Sequence, residues 1–275
     1  MIKMIALDMD NTLLNSQKEI SPRNEAVLKR LHEQGIKIVL CTGRPINAIW
    51  PYIEQLGLTT ADDYTITFNG GLVVNNQTRA ALSEHGISKD KLQAVFDFAK
   101  QHDFSLDVLD FDRVYEIMDM PRSIYKTILK NIEFKDAHFN DLPGGDHVYA
   151  KAIMAIPAVK MSQEVLPAVP DELRQQVNVV QSQPMVLEFL PNGVNKSVGL
   201  RALLEHYGWD FANLMTFGDA DNDYEMIRDA GDGVVMANGL DSVKKAADHL
   251  TKSNNEDGVA VYLENFFATL MEYQA

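Results

Sequence analysis

Over the first eighty residues, short unbroken apolar runs alternate with stretches of helical period. Met4 to Leu7 is wholly apolar and ends on Asp8, and Ile36 to Leu40 ends on Cys41-Thr42-Gly43-Arg44. Runs without polar alternation are what strands covered on both faces of a parallel sheet require. Between them, Ser21-Pro22 offers an N-cap followed by proline at the first helical position. Val27, Leu28 and Leu31 then recur at helical spacing until Gly35 closes the element. This predicts a βαβ unit. A helix over Asn47 to Leu56, interrupted near its start by Pro51, and a strand over Tyr64 to Phe68 follow. A hairpin-like stretch then runs from Leu72 to Ala81.

From about Glu84 the pattern changes. Helices are predicted over Ser88 to His102, Arg122 to Asn131 and Val159 to Val169, and strands over Ser105 to Leu109, Val114 to Ile117, Val148 to Ile156, Val177 to Gln181 and Met185 to Leu190. Tight turns such as Asp110-Phe111-Asp112 between adjacent strands point to an antiparallel sheet with helices, an α+β insert. After Asn195 the helix-strand alternation returns, with Lys196 to Tyr207, Leu214 to Phe217, Tyr224 to Ala230, Gly233 to Met236 and Ser242 to Ala247. The expected architecture is an α/β core over 1–83 and 189–275, interrupted by an α+β cap over 84–188. The 275 residues also suit two domains of roughly 150 residues or fewer.

Composition narrows the function. Hydrophobic residues at 46% and charged residues at 23% allow a substantial core. Lys+Arg 25 against Asp+Glu 39 gives 25 − 39 = −14, a field that repels nucleic acid and anionic membranes. Any phosphorylated ligand therefore needs local positive charge or a metal. Cys41 is the single cysteine, which excludes an internal disulfide and a multi-cysteine zinc site and suits a reducing compartment, the cytoplasm. Acidic residues at Asp8 and Asp10 break the amino-terminal apolar run before a signal peptide can form.

Four elements carry chemistry. Asp8-Met9-Asp10-Asn11-Thr12 places two carboxylates just after a buried strand, where open α/β sheets bind their ligands. Residues i and i+2 of an extended backbone project to one side, so both could face a single cleft. A desolvated carboxylate pair needs compensation, and Mg²⁺ with oxygen ligands supplies it. One Asp could attack phosphorus while the other exchanges protons with the leaving oxygen and with water. A plain surface turn is the competing reading. Thr42, with Gly43 and Arg44, offers a hydroxyl and free backbone N–H groups to phosphate oxygens, or simply caps the next helix. Lys196 opens a helix after Gly193-Val194-Asn195 and could hold phosphate as a point charge, or lie in solvent. Gly218-Asp219-Ala220-Asp221-Asn222-Asp223 gathers three carboxylates in six residues after an apolar strand and is the most specific of the four. They meet only if their strands are neighbours in a parallel sheet.

With these motifs the sequence resembles the haloacid dehalogenase superfamily, and within it the Cof-type sugar-phosphate phosphatases with a type IIB (C2B) cap. The resemblance covers essentially the whole chain: DMDNTLL at Asp8, CTGRP at Cys41, ITFNGG at Ile66, NKSVGLRALL at Asn195, GDADNDYEMI at Gly218, VVMANG at Val234 and LTKSNNEDGVA at Leu250. It implies a Rossmann-like core with a parallel sheet, a cap that closes over a small phosphorylated metabolite, and Mg²⁺-dependent phosphomonoester hydrolysis. It implies Asp8 as nucleophile and metal ligand, and Asp10 as general acid/base that binds the metal through its carbonyl. Thr42 and Lys196 would hold phosphate oxygens, Asp219 the metal. Asn222 would stand on the phosphate side and Asp223 in direct or water-mediated contact with the metal. Gly43 would join the phosphate loop, with Arg44, Asn69 and Gly70 at the mouth. Asp8, Asp10, Asp219, Asp221 and Asp223 are thus expected to crowd one cleft. Asn11 departs from the family's usual glycine, at a position where a left-handed backbone is expected and asparagine is tolerated.

A phosphomutase shares the Asp pair and cap type, and a receiver-like signalling domain shares Asp, Thr and Lys. In this chain, however, the Asp pair follows the first strand, and a receiver has no use for a cap. The seven histidines form no metal-binding spacing, and the 12 methionines are scattered as core residues. Asp107, Asp110, Asp112 and Tyr115, around a cap hairpin, read as solvated turn residues in preference to substrate contacts.

Overall fold

The computed structural model describes residues 1–129 and 132–268, which divide into two compact units, Met1–Ser83 with Asn195–Ala275 and Glu84–Val194. The second boundary lies at 194, later than the expected 188. The strand Val186–Leu190 pairs along its length with Lys151–Ala155 inside the inserted sheet, so a cut at Glu188 would split it.

In the first unit, five parallel strands run in the order 249–250, 232–235, 214–218, 4–7, 37–40. Met4–Leu7 lies inside the sheet, bonded to Leu214–Gly218 on one side and Lys37–Leu40 on the other. Its alternation explains the unbroken apolar run. Ile5 and Leu7 pack with Leu28, Leu31 and Ile53 on one face, while Met4 and Ala6 pack with Leu200, Leu203 and Ile227 on the other. Both faces are buried, so no position is left for a polar side chain. A bridge from Cys41 to Ile66 extends this edge to a small sheet of 64–67, 72–75 and 81–84.

The helix Pro22–Glu33 starts as expected, with the Ser21 hydroxyl accepting from Asn24 N at 3.2 Å. The helix Ile46–Leu56 runs through Pro51, which removes only the amide that would bond the Asn47 carbonyl. A carboxy-terminal helix, Gly258–Phe266, was not anticipated; it lays Val259, Ala260 and Leu263 on the face of Ile5 and Leu7.

The inserted unit holds a six-stranded sheet in the order 178–183, 186–190, 151–155, 107–109, 113–117, 133–137. It is mixed, not antiparallel throughout, because Glu133–Ala137 joins Arg113–Ile117 in parallel. Glu133–Ala137 shows no apolar run in the sequence because it is an edge strand with mostly exposed, polar residues. The expected strand 148–156 breaks at Ala150, and Val148–Tyr149 pairs separately with Ile87–Ser88. The helix expected over 122–131 is one turn, Tyr125–Ile128, with 130 and 131 outside the described residues. A short helix, Asp171–Gln176, is additional. Asp107, Asp110 and Tyr115 are buried, contrary to the solvated reading, while Asp112 is exposed. Among the described residues, no helix is long and apolar enough to cross a membrane.

Candidate active site

Strand order decides the site. Asp8 follows the strand Met4–Leu7, its amide bonded to the Phe217 carbonyl at 3.0 Å, so the ends of this strand and of Leu214–Gly218 meet. Asn195 caps the helix Lys196–His206 by accepting from Val198 N at 3.1 Å, which fixes Lys196 as the first helical residue. The Lys196 side chain is fully buried. Its ammonium donates to Asp8 Oδ1 and, at 2.6 Å, to Asp223 Oδ1. A free surface lysine is therefore excluded.

Asp223 reaches this point because the chain after Gly218 turns back on itself. A Cβ at Gly218 would lie 2.6 Å from the Asp223 Cβ, and Asp223 Oδ2 accepts from Asp219 N at 2.9 Å and Ala220 N at 3.0 Å. Asp219 Oδ1 in turn accepts from the Thr12 hydroxyl at 2.8 Å. Ligand oxygens of Asp8, Asp219 and Asp223 all lie within 4.8 Å of one another.

Three buried carboxylates around one ammonium leave two negative charges uncompensated if all are ionised. Burial pushes the Asp8 carboxyl up to about 7; Lys196 pulls it down, and Asp223 and Asp219 push it further up. Burial likewise raises Asp219 to about 6, against the Thr12 hydrogen bond. Burial opposes the Lys196 charge, yet Asp223 and Asp8 hold its pKa above the ordinary lysine value. An all-oxygen donor set with excess negative charge fits a hard divalent cation. Both Asp223 oxygens already have protein donors, so Asp8 and Asp219 hold the oxygens open to direct ligation, with Asp223 bracing Lys196 and the turn.

Asp10 is not one of the three grouped carboxylates. Its carboxylate receives the Arg44 guanidinium through Nε at 2.8 Å and Nη2 at 2.5 Å, and the Lys18 ammonium at 2.8 Å. Burial raises its pKa, but these hydrogen bonds outweigh it and hold the group below the usual aspartate value. Arg44, expected at the phosphate, is thus occupied by Asp10. Asn11 is left-handed, φ 61°, as its place in the motif requires.

Thr42 is buried and its hydroxyl accepts from Arg44 N at 3.1 Å, while Asn69 N donates to the Thr42 carbonyl at 3.0 Å. Gly43 makes room for Asn69, whose side chain would lie 3.0 Å from a Cβ there. Asn69 Oδ1 then accepts from Asn222 Nδ2 at 3.1 Å, tying the Thr42 loop to the acidic loop. Gly70, at φ +97°, lies so close to the Lys196 helix start that a Cβ would stand 1.9 Å from the Asn195 carbonyl oxygen. Gly70→Ala is therefore expected to destabilise the chain by roughly 2–4 kcal/mol, from overpacking and a forbidden backbone angle. Thermal or urea unfolding measures it; an unchanged midpoint would rule out this contact as a constraint on the helix.

Of the predicted residues, Asp8, Asp219, Asp223 and Lys196 form one buried cluster; Thr42, Gly43, Asn69 and Asn222 share a second network. Asp221 does not join the carboxylates: it is exposed and accepts from the Ser242 hydroxyl at 2.9 Å. Thr12 and Lys18 were not assigned roles in the sequence. Thr12 belongs to the Asp motif and could have been suspected from it, whereas Lys18 stands in a polar run with no signal.

A family model described as haloacid dehalogenase-like hydrolase matches residues 5–263. The Bacillus subtilis protein YxeH is 33% identical over 264 residues, covering 94% of this chain and 96% of that protein. The 5-amino-6-(5-phospho-D-ribitylamino)uracil phosphatase YitU of Bacillus subtilis is 30% identical over 275 residues, covering 96% of this chain and 97% of its own length. A crystal structure of a haloacid dehalogenase-like hydrolase from Bacteroides thetaiotaomicron superposes with a TM-score of 0.81 at 32% identity, covering 97% of this chain and all of that one (100%).

Proposed function

The chain belongs to the haloacid dehalogenase-like hydrolases, and we propose that it hydrolyses small phosphomonoesters, of the sugar-phosphate kind, through an aspartyl-phosphate on Asp8 with Mg²⁺ as cofactor. The observation that carries this reading is the buried Lys196 ammonium shared by Asp8 and Asp223, with Asp219 alongside, at the ends of adjacent parallel strands. YitU, whose name gives it a phosphorylated ribityl substrate, supports the substrate class.

Asp8 and Asp219 would hold Mg²⁺ directly, and the ion would supply charge neutralisation for the incoming phosphate dianion. The residues of the chain do the rest. Lys196 aims the Asp8 carboxylate and adds a fixed positive charge next to the attacked phosphorus. An Asp8 oxygen bonds to phosphorus as the P–O bond to the alcohol breaks, and Asp10 protonates the departing alkoxide. Asp10 then takes a proton from water, whose oxygen attacks phosphorus and returns Asp8 to its carboxylate. Thr42 and the backbone of its loop hold the equatorial oxygens. Arg44 and Lys18 favour the ionised Asp10, which suits the step that takes the water proton and opposes the step that gives a proton to the alkoxide.

The direct test is phosphate release from p-nitrophenyl phosphate without any bisphosphate activator. Chelation of divalent metal is expected to lower the rate by about 100-fold or more, and added Mg²⁺ to restore it. Isomerised sugar phosphate in place of free phosphate would sink hydrolysis, and full activity after chelation would sink the metal.

A further inference from the structure

The loop that carries Asp10 is held by asparagines from far along the chain. Residues 9–14 fold on themselves: Leu14 N donates to the Met9 carbonyl at 2.8 Å, and Asp10 forms a bridge with Leu14. Carbonyls at both ends of this turn find partners outside it. Asn238 Nδ2 donates to the Asn11 carbonyl at 2.8 Å, and Asn254 Nδ2 to the Leu14 carbonyl at 2.9 Å. The asparagines are also joined to each other, since Asn254 N donates to Asn238 Oδ1 at 3.0 Å. Asn238 follows the strand Asp232–Val235, which neighbours Leu214–Gly218 on the side away from Met4–Leu7. The same turn reaches Asp219, whose carbonyl accepts from Leu240 N at 2.8 Å. One carboxamide thus ties the Asp10 loop to the turn that holds Asp219.

The clip acts on one member of the site. Asp8 is fixed without it, by its amide on Phe217 and its carboxylate on Lys196. Thr12 is fixed by its hydroxyl on Asp219. Asp10 lies between them, and its side chain is drawn to Arg44, which follows the strand on the other side of Met4–Leu7. Its main chain turns at Asn11, where the left-handed angle takes the carbonyl out of the local hydrogen-bond pattern and leaves it to a donor from elsewhere. Asn238 is that donor. We infer that Asn238 is a positioning residue for Asp10, setting where its carboxyl stands relative to the P–O bond that breaks. This deepens the phosphatase reading and rests on Asp10 as the proton donor to the leaving group.

The need for that proton depends on the alcohol, so the esters themselves report it. Phenolate departs poorly unless protonated, whereas p-nitrophenolate departs readily as the anion. Asn238 is exposed, so Asn238→Ala leaves the core packing untouched. Its kcat/KM is expected to fall about tenfold more for phenyl phosphate than for p-nitrophenyl phosphate. A merely structural Asn238 would lower both esters together and leave their ratio fixed, which overturns the inference. Asn238→Asp is the second variant should the alanine variant not fold; it keeps an acceptor for Asn254 N and sets a second acceptor against the Asn11 carbonyl. An unchanged ratio there is equally fatal. Turnover of both esters with an unmoved ratio rejects the role of Asn238 and keeps the phosphatase, whereas a wild-type chain that turns over neither ester rejects both.

Discussion

Asp8→Asn is expected to abolish phosphate release, lowering kcat by roughly 10⁴-fold or more, the scale on which removal of a covalent nucleophile acts. The amide fills the same space and still accepts from Lys196, so the fold should survive. A second signature separates this from unfolding. The folded pKa of Asp8 lies near 7, above the ordinary value of 3.8, so its contribution to stability is present below about pH 4 and is lost as the pH rises through 7. Asp219, raised to about 6, adds to the same trend. The metal-free wild-type chain should therefore lose stability between pH 4 and pH 7, and Mg²⁺ should recover it most above pH 7. Asp8→Asn should flatten this slope and weaken the Mg²⁺ response. Thermal unfolding across that range with and without Mg²⁺ measures both; retained turnover, or an unaltered slope, would remove Asp8 from the role.

What could be read from the sequence divides along physical lines. Apolar runs at Met4–Leu7 and, but for Thr216, at Leu214–Gly218 announced strands buried on both faces, and the separation of 34 positions from Asp8 to Thr42 suited one crossover between neighbours. Those are local patterns. Burial of Lys196 was not local: a lysine in a first helical turn is ordinarily solvated, and only the approach of Gly70 to Asn195 and of Asp223 beneath Gly218 encloses it. The clamp on Asp10 likewise depends on Arg44 from the next strand end and on Lys18, a left-handed residue at φ 63° in a polar turn. In the inserted unit, Asp107 looked like a turn residue because polar side chains near DFD suggest solvent. The sheet register buries it instead, since its neighbours across the sheet come from strands far along the chain. Spacing shows which strand end a residue follows, but not which side chains from other strands will meet it.

Lys196→Met carries the largest combined effect. The side chain is fully buried and holds two carboxylates, so methionine keeps most of the volume while leaving Asp8 and Asp223 without their shared cation. Breaking a buried ion pair from one side costs about 3–5 kcal/mol, because the abandoned charge has nowhere to go. Arginine is no rescue, as its larger planar head exceeds a space closed to solvent. The sign with pH follows from what Lys196 does. It pulls Asp8 down, so its loss lifts the Asp8 pKa further, and the variant folds with neutral carboxyls where it can. The stability deficit should be small near pH 5, where protonation removes the repulsion, and should grow up to about pH 8. A deficit that does not vary with pH would mean that only apolar packing of the lysine stem was lost. In the reaction, kcat should fall by about 10³-fold, since a cation aimed at the transferring phosphoryl group in a dry site is worth that much. Mg²⁺ should recover part of the stability and little of the rate: the ion can neutralise the carboxylates, but it cannot orient the Asp8 oxygen that Lys196 holds.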